Sequence, residues 1–162
     1  MNASAKFLIF QAGPVLALSL AAVREILPFV LLSKPPTTAS MVTGVVNIGG
    51  QAVTVLDLGE LLGVETAEPS IWSHIIWLKG TPVPLAVLVE RTISVVDGNS
   101  ISISELPDGM TFNGMVKAEL LNDGTPIAQL LDVEALLTEE EARRLRSFAD
   151  RAQTRLNGLE VA

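Results

Sequence analysis

The sequence predicts a mainly β fold: two small barrels of about five strands each, packed together, with short helices and a C-terminal helix. Three observations predict it. Nine prolines and twelve glycines cut 162 residues into many short elements. About half the chain is hydrophobic (49%) but only 4% is aromatic, with no tyrosine, so the core is built of Val, Ile, Leu and Ala. Finally, one order of elements occurs twice. Pro14-Val15…Val23-Arg24-Glu25-Ile26 is echoed by Pro82-Val83…Glu90-Arg91-Thr92-Ile93. Gly44-Val45-Val46…Val55-Leu56-Asp57-Leu58…Leu61-Leu62 is echoed by Gly114-Met115-Val116…Leu130-Leu131-Asp132-Val133…Leu136-Leu137. The offset is roughly 70 residues, far longer than a solenoid repeat. Strands this short need each other's apolar faces to make a sufficient core.

Each element follows from local pattern. Phe7-Leu8-Ile9-Phe10 and Val15-Leu16-Ala17-Leu18-Ser19-Leu20 flank Gly13-Pro14 and read as a hairpin. The uncharged run from Phe7 to Val23 resembles a signal peptide only superficially, because Gln11, Gly13 and Pro14 interrupt it. Ala21–Glu25 fits one helical turn, and residues 26–32 fit an edge strand, since Pro28 cannot donate to a ladder. Lys34-Pro35-Pro36-Thr37-Thr38 is a loop. Two strands around Gly49-Gly50-Gln51 form a second hairpin, and Asp57 then stands where it can cap the short helix Leu58-Gly59-Glu60-Leu61-Leu62. The join between the two barrels is expected near Glu65–Ser70.

The second round has strands at 73–78 and 83–89 around Lys79-Gly80-Thr81-Pro82, and short strands at 93–96 and 101–103. A last hairpin turns at Asn122-Asp123-Gly124, and Asp132 precedes a short helix at 133–137. The tail, residues 138–162, is a helix with Thr138 as cap and Glu139, Glu140 and Glu141 at the positive end of its dipole. Leu145, Phe148, Ala152, Leu156 and Leu159 form one apolar stripe, suited to docking on the chain's own barrel or to binding a partner.

Composition narrows the chemistry. There is no cysteine, which removes disulfides, thiol catalysis and zinc fingers. One histidine, His74, makes a multi-histidine metal site impossible. The net charge is −7, and the tail's five acids and five bases cancel, so the acidic excess lies in the body and opposes nucleic-acid binding. Gly44-Val45-Val46-Asn47-Ile48-Gly49-Gly50 fits neither phosphate-loop pattern, and Gly98-Asn99-Ser100-Ile101-Ser102 lacks the closing glycine of a nucleophile elbow. His74 has no identifiable nucleophile beside it, and the matched places of Asp57 and Asp132 suit helix capping better than acid–base work. No catalytic, cofactor or metal residues are expected.

The run Gly44-Val45-Val46-Asn47-Ile48-Gly49-Gly50-Gln51-Ala52-Val53-Thr54-Val55-Leu56-Asp57-Leu58 resembles the CheW-like family, the coupling proteins that join chemoreceptors to the histidine kinase CheA. Phe7-Leu8-Ile9-Phe10 is similar to the family's opening strand, Val23-Arg24-Glu25-Ile26 to its Val-x-Glu-Ile, and 130–137 to its closing strand and helix. The resemblance covers about residues 6–140 and implies two five-stranded, SH3-like barrels in one CheW-like domain at 1–140, split near 65–70. It also implies a non-enzymatic, cytoplasmic adaptor whose partners are a CheA-type kinase regulatory domain and a chemoreceptor tip, with no membrane insertion. A barrel edge would pair with the kinase domain, and a groove near Val23, Glu25 and Ala52 would take the receptor's helical hairpin. Gly49 stands where the family usually has arginine and Thr54 where it has proline, and Ala86 and Glu90 replace a glycine and an aspartate. The candidate interaction residues are Val23, Glu25, Gly49, Gly50 and Ala52. The departure at Gly49 leaves open an adaptor of pilus or surface motility, and the space between two barrels leaves open a small-molecule-binding protein.

Overall fold

The computed structural model describes residues 5–30, 32, 41–106 and 114–161. The strands are β1 (Lys6–Gln11), β2 (Val15–Ser19), β3 (Val23–Pro28), β4 (Val42–Ile48), β5 (Gln51–Asp57), β6 (His74–Leu78), β7 (Leu85–Val89), β8 (Arg91–Asp97), β9 (Ser102–Glu105), β10 (Val116–Asn122) and β11 (Thr125–Leu131). Helix α1 spans Leu58–Leu62 and helix α2 spans Glu139–Val161, and single 3-10 turns occupy Leu20–Ala22, Gly98–Ser100 and Val133–Ala135. The proline-rich loop at 34–38 lies outside the described residues.

Small departures from expectation have local causes. The helical turn sits upstream of Ala21–Glu25, at Leu20–Ala22, because Val23 and Ile26 belong to the strand that pairs with β6. Strand β7 begins at Leu85 rather than 83, since Pro82 and Pro84 have no N–H to give a ladder. Asp132 caps one 3-10 turn instead of a helix through Leu137, because Thr138 restarts the chain as the cap of α2.

Two mixed sheets result. One has the order β8-β1-β2-β11-β10-β9 and the other β3-β6-β7-β5-β4. The second order maps onto the first five strands of the first, and each pairing matches in sense. β7 and β5 run parallel, as do β2 and β11, and the remaining pairs are antiparallel. The duplicated order seen in the sequence is therefore duplicated topology.

Two expectations are corrected. Among the described residues, neither sheet closes into a barrel by hydrogen bonding: β8 and β9 remain edges of one, β3 and β4 of the other. The face of each sheet turned from the shared interior packs residues of that same sheet and its flanking turns, so each sheet curves over its own apolar face without completing a hydrogen-bonded ring. Nor does the boundary between the sheets fall near 65–70. β1 and β2 join β8–β11, whereas β3–β7 form the other sheet. β3 follows β2 in the chain but pairs with β6, and β8 follows β7 but pairs with β1. Each half of the chain lends one hairpin, β1–β2 or β6–β7, to the interior of the other's sheet.

Three apolar layers hold this together. A shared interior contains Leu8, Phe10, Leu16 and Leu18 from one sheet and Leu56, Ile76, Leu78, Leu85 and Val87 from the other. The opposite face of the first sheet packs Phe7, Ile9, Ala17, Leu120 and Leu130, and that of the second packs Val53, Val55, Ile75, Trp77 and Leu88. Successive residues of β1 thus point alternately into two cores, which explains why the strand is apolar throughout rather than alternating.

Helix α2 starts with a capping box, in which the Thr138 N–H donates to Glu141 Oε1 at 2.9 Å and the Glu141 N–H to Thr138 Oγ1 at 3.1 Å. Leu145 and Ala149 enter the shared interior. Phe148, Ala152 and Leu156 are half-buried, so this stretch of the tail docks on the chain's own sheets.

Candidate functional site

Two stretches carry the candidate interaction residues, at opposite ends of the five-stranded order. On β3, Val23 pairs with Leu78 and is buried in the shared interior, so it supports the strand rather than facing solvent. The register then shifts, and Arg24 is the extra residue of a β-bulge before Glu25 meets Trp77. The bulge lets the Arg24 guanidinium lie over the Trp77 ring, 4.8 Å from its centroid. Glu25 is exposed, and Ile26 beside it is 38% exposed although its partner Ile76 is fully buried. Val95 of β8, half exposed beside buried Leu8, occupies the matching place in the other sheet.

The β4–β5 hairpin carries the other three. Gly49 and Gly50 have φ of 60° and 87°, the two positive angles of a type I′ turn, and the Gly50 N–H donates to Asn47 Oδ1 at 2.8 Å. Both glycines therefore serve the turn. A Cβ at Gly49 would meet nothing within 4 Å, so the position is open to a side chain but strained for one. Ala52 is buried. Its N–H donates to Gln153 Oε1 of α2 at 2.8 Å, while Gln153 Nε2 donates to the Gly50 carbonyl at 3.1 Å. The structure brings Gly50 and Ala52 together under Gln153, places Gly49 at the exposed tip, and leaves Glu25 on a separate strand edge.

Sequence reasoning missed two features. Gln153 carried no signal, being one polar residue on a helix. Ile71 and Trp72 are 86% and 69% exposed on a turn fixed by serines: the Ser73 N–H reaches the Ser70 carbonyl, the Ser70 N–H reaches Ser73 Oγ, and the Trp72 N–H reaches Ser70 Oγ. Two large apolar residues between Pro69-Ser70 and Ser73 were a readable sign of such a display.

Asp57, Asp132, Glu90 and His74 make contacts within the fold. Asp57 accepts from the Glu60 N–H at 3.3 Å and Asp132 from the Glu134 N–H at 3.1 Å, so both are caps in matching places. Their own N–H groups match too, donating to the Met41 and Met115 carbonyls. Glu90 accepts from the Gly13 N–H and holds the β1–β2 turn. His74 Nδ1 faces the Thr92 N–H at 3.4 Å. A pocket lined by Asp57, Thr66, Ser73 and Glu90 has room for water of about 20 Å³, too little for a metabolite. Among the described residues, no group of three or more His, Asp or Glu side chains is placed to hold a metal, and no helix is long and apolar enough to cross a membrane.

A family profile described as CheW-like domain matches residues 6–141. No curated protein matches the chain. Among solved structures, the scaffolding protein TtCheW from Thermoanaerobacter tengcongensis is similar, with a TM-score of 0.71 and 22% identity over 85% of this chain and 90% of that one.

Proposed function

The chain belongs to the CheW-like domain family, whose members are scaffolds rather than enzymes, and on that premise we propose that it is a cytoplasmic adaptor coupling chemoreceptors to a CheA-type histidine kinase. The profile match over nearly the whole two-sheet body carries this reading. Open strand edges and an exposed acidic residue on β3 support it, since edges offer main-chain groups to a partner and rim charges set register and encounter rate.

In mechanism the protein holds two partners at a fixed spacing and catalyses nothing. One face engages the kinase regulatory domain. Another, with Glu25 at its rim, engages the receptor tip. Pull-down of the tagged full chain from its native cell, with mass spectrometry, checks both partners, and a CheA-type kinase and a receptor should co-purify. Glu25→Ala should shift Tm by less than about 1 °C, as expected for an exposed surface site, while weakening receptor or kinase binding. Titration calorimetry and thermal melts on the same sample separate the two effects. Unfolding without loss of affinity in the folded fraction would make Glu25 a structural charge.

A further inference from the structure

Strand β5 is paired on its β7 side only along part of its length. The parallel register runs from Thr54 to Asp57, and the Thr54 N–H reaches the Pro84 carbonyl. Pro84 cannot donate, and the chain before it turns away, so Gly50 and Ala52 would present an open carbonyl and an open N–H two residues apart. Gln153 fills that gap. Its side-chain amide accepts from the residue after Gln51 and donates to the residue before it, which is the pattern one residue of a parallel strand makes with its neighbour. A helix side chain thus stands in for a missing length of strand.

The two halves of α2 are held unequally. Leu145 and Ala149 anchor the first half in the shared interior. Beyond Ala149 no side chain that the structure describes is buried: Ala152, Gln153 and Leu156 are half-buried and the others exposed. Gly158, a poor helix former, lies inside this half, and the last turn has no basic residue to meet the negative end of the dipole.

We propose that α2 beyond Ala149 is a displaceable cover, clasped by Gln153, over the main-chain edge at Gly50 and Ala52, and that an extended segment of the kinase regulatory domain competes with it. The exposed groups are a main-chain acceptor and donor at strand spacing, which fits an extended backbone better than a helix face. The proposal rests on the scaffold reading above and adds a regulation to it.

Two measurements on the full chain and on Gln153→Ala and Gln153→Glu test it. Amide hydrogen exchange reads the cover without any partner. In Gln153→Ala the Ala52 amide should exchange about tenfold faster, as the loss of one net hydrogen bond implies, while Thr54 stays protected by Pro84. Titration against a purified CheA-type regulatory domain reads the competition. Gln153→Ala should bind about three- to tenfold tighter, because a larger fraction of molecules is uncovered. Gln153→Glu keeps an acceptor for Ala52 and loses the donor to Gly50, so it should fall between. An Ala52 amide unchanged in Gln153→Ala overturns the clasp. A released Ala52 with unchanged affinity overturns the competition while the scaffold reading stands. If neither wild type nor variants bind the kinase domain, the scaffold reading fails and the cover with it.

Discussion

The hairpins β4–β5 and β10–β11 occupy matching places in their two sheets and close with the same kind of turn, yet their surroundings differ. Gly49-Gly50 has φ of 60° and 87°, and Asp123-Gly124 has 50° and 78°. The first hairpin is overlaid by α2 and tied to it through Gln153. At the second, residues 122–126 are all exposed. Asp123 shows that the first turn position tolerates a side chain when a short polar group supports the left-handed backbone. The difference teaches that the turn is set locally, whereas what lies over it is set by a segment a hundred residues away.

The strongest way to break the comparison is Leu145→Ala. It empties a buried site beneath α2 and should cost about 2–4 kcal/mol in urea denaturation. Below the transition, exchange should quicken at the first hairpin and not at the second. Gly49→Val comes next, placing a β-branched residue at φ 60°, and should cost about 1–2 kcal/mol. Gly49→Asp makes the first turn a copy of the second and should stay within about 0.5 kcal/mol, as surface substitutions usually do. A large loss there would mean the two turns are not equivalent.

Capping gives a finer comparison. Asp57→Ala removes the cap of α1 and should cost about 1 kcal/mol, and Asp132→Ala, which caps a single 3-10 turn, should cost less. Thermal melts of both variants rank them. Smaller again is Thr54→Val. Thr54 Oγ1 and, at the matching place, Gln129 Oε1 are buried without a hydrogen-bond partner among the described residues. Replacing that hydroxyl by a methyl should raise stability by about 0.5–1 kcal/mol, read from the urea midpoint.

Much of the fold was legible because it is local. The Gly13-Pro14, Gly49-Gly50 and Asp123-Gly124 turns, the caps at Asp57 and Asp132, and the duplicated order all depend on neighbours in the chain. The strand exchange was not legible. β3 and β8 are apolar enough for either sheet, and their partners β6 and β1 are distant in sequence, so no local pattern chooses between them. Of the candidate residues, Glu25 was placed on the surface and is exposed there. Val23 lies in the shared interior and Ala52 is buried beside Gln153 of α2, surroundings that only tertiary packing defines. Gln153 was invisible because its role depends on where Pro84 ends a ladder.

The exchange of the β1–β2 and β6–β7 hairpins also governs what a protease or an engineer can do to the molecule. A nick within residues 64–73, the long connection between α1 and β6, leaves an N-terminal piece holding β1 to β5 and a C-terminal piece holding β6 to β11. Neither piece contains a whole sheet. The N-terminal piece lacks β6 and β7 from between β3 and β5, and the C-terminal piece lacks β1 and β2 from between β8 and β11. The nicked chain should therefore migrate as one particle in native gels, and neither fragment expressed alone should reach a native spectrum. The pair mixed together should recover it, as two halves that complement because each holds the centre of the other's sheet.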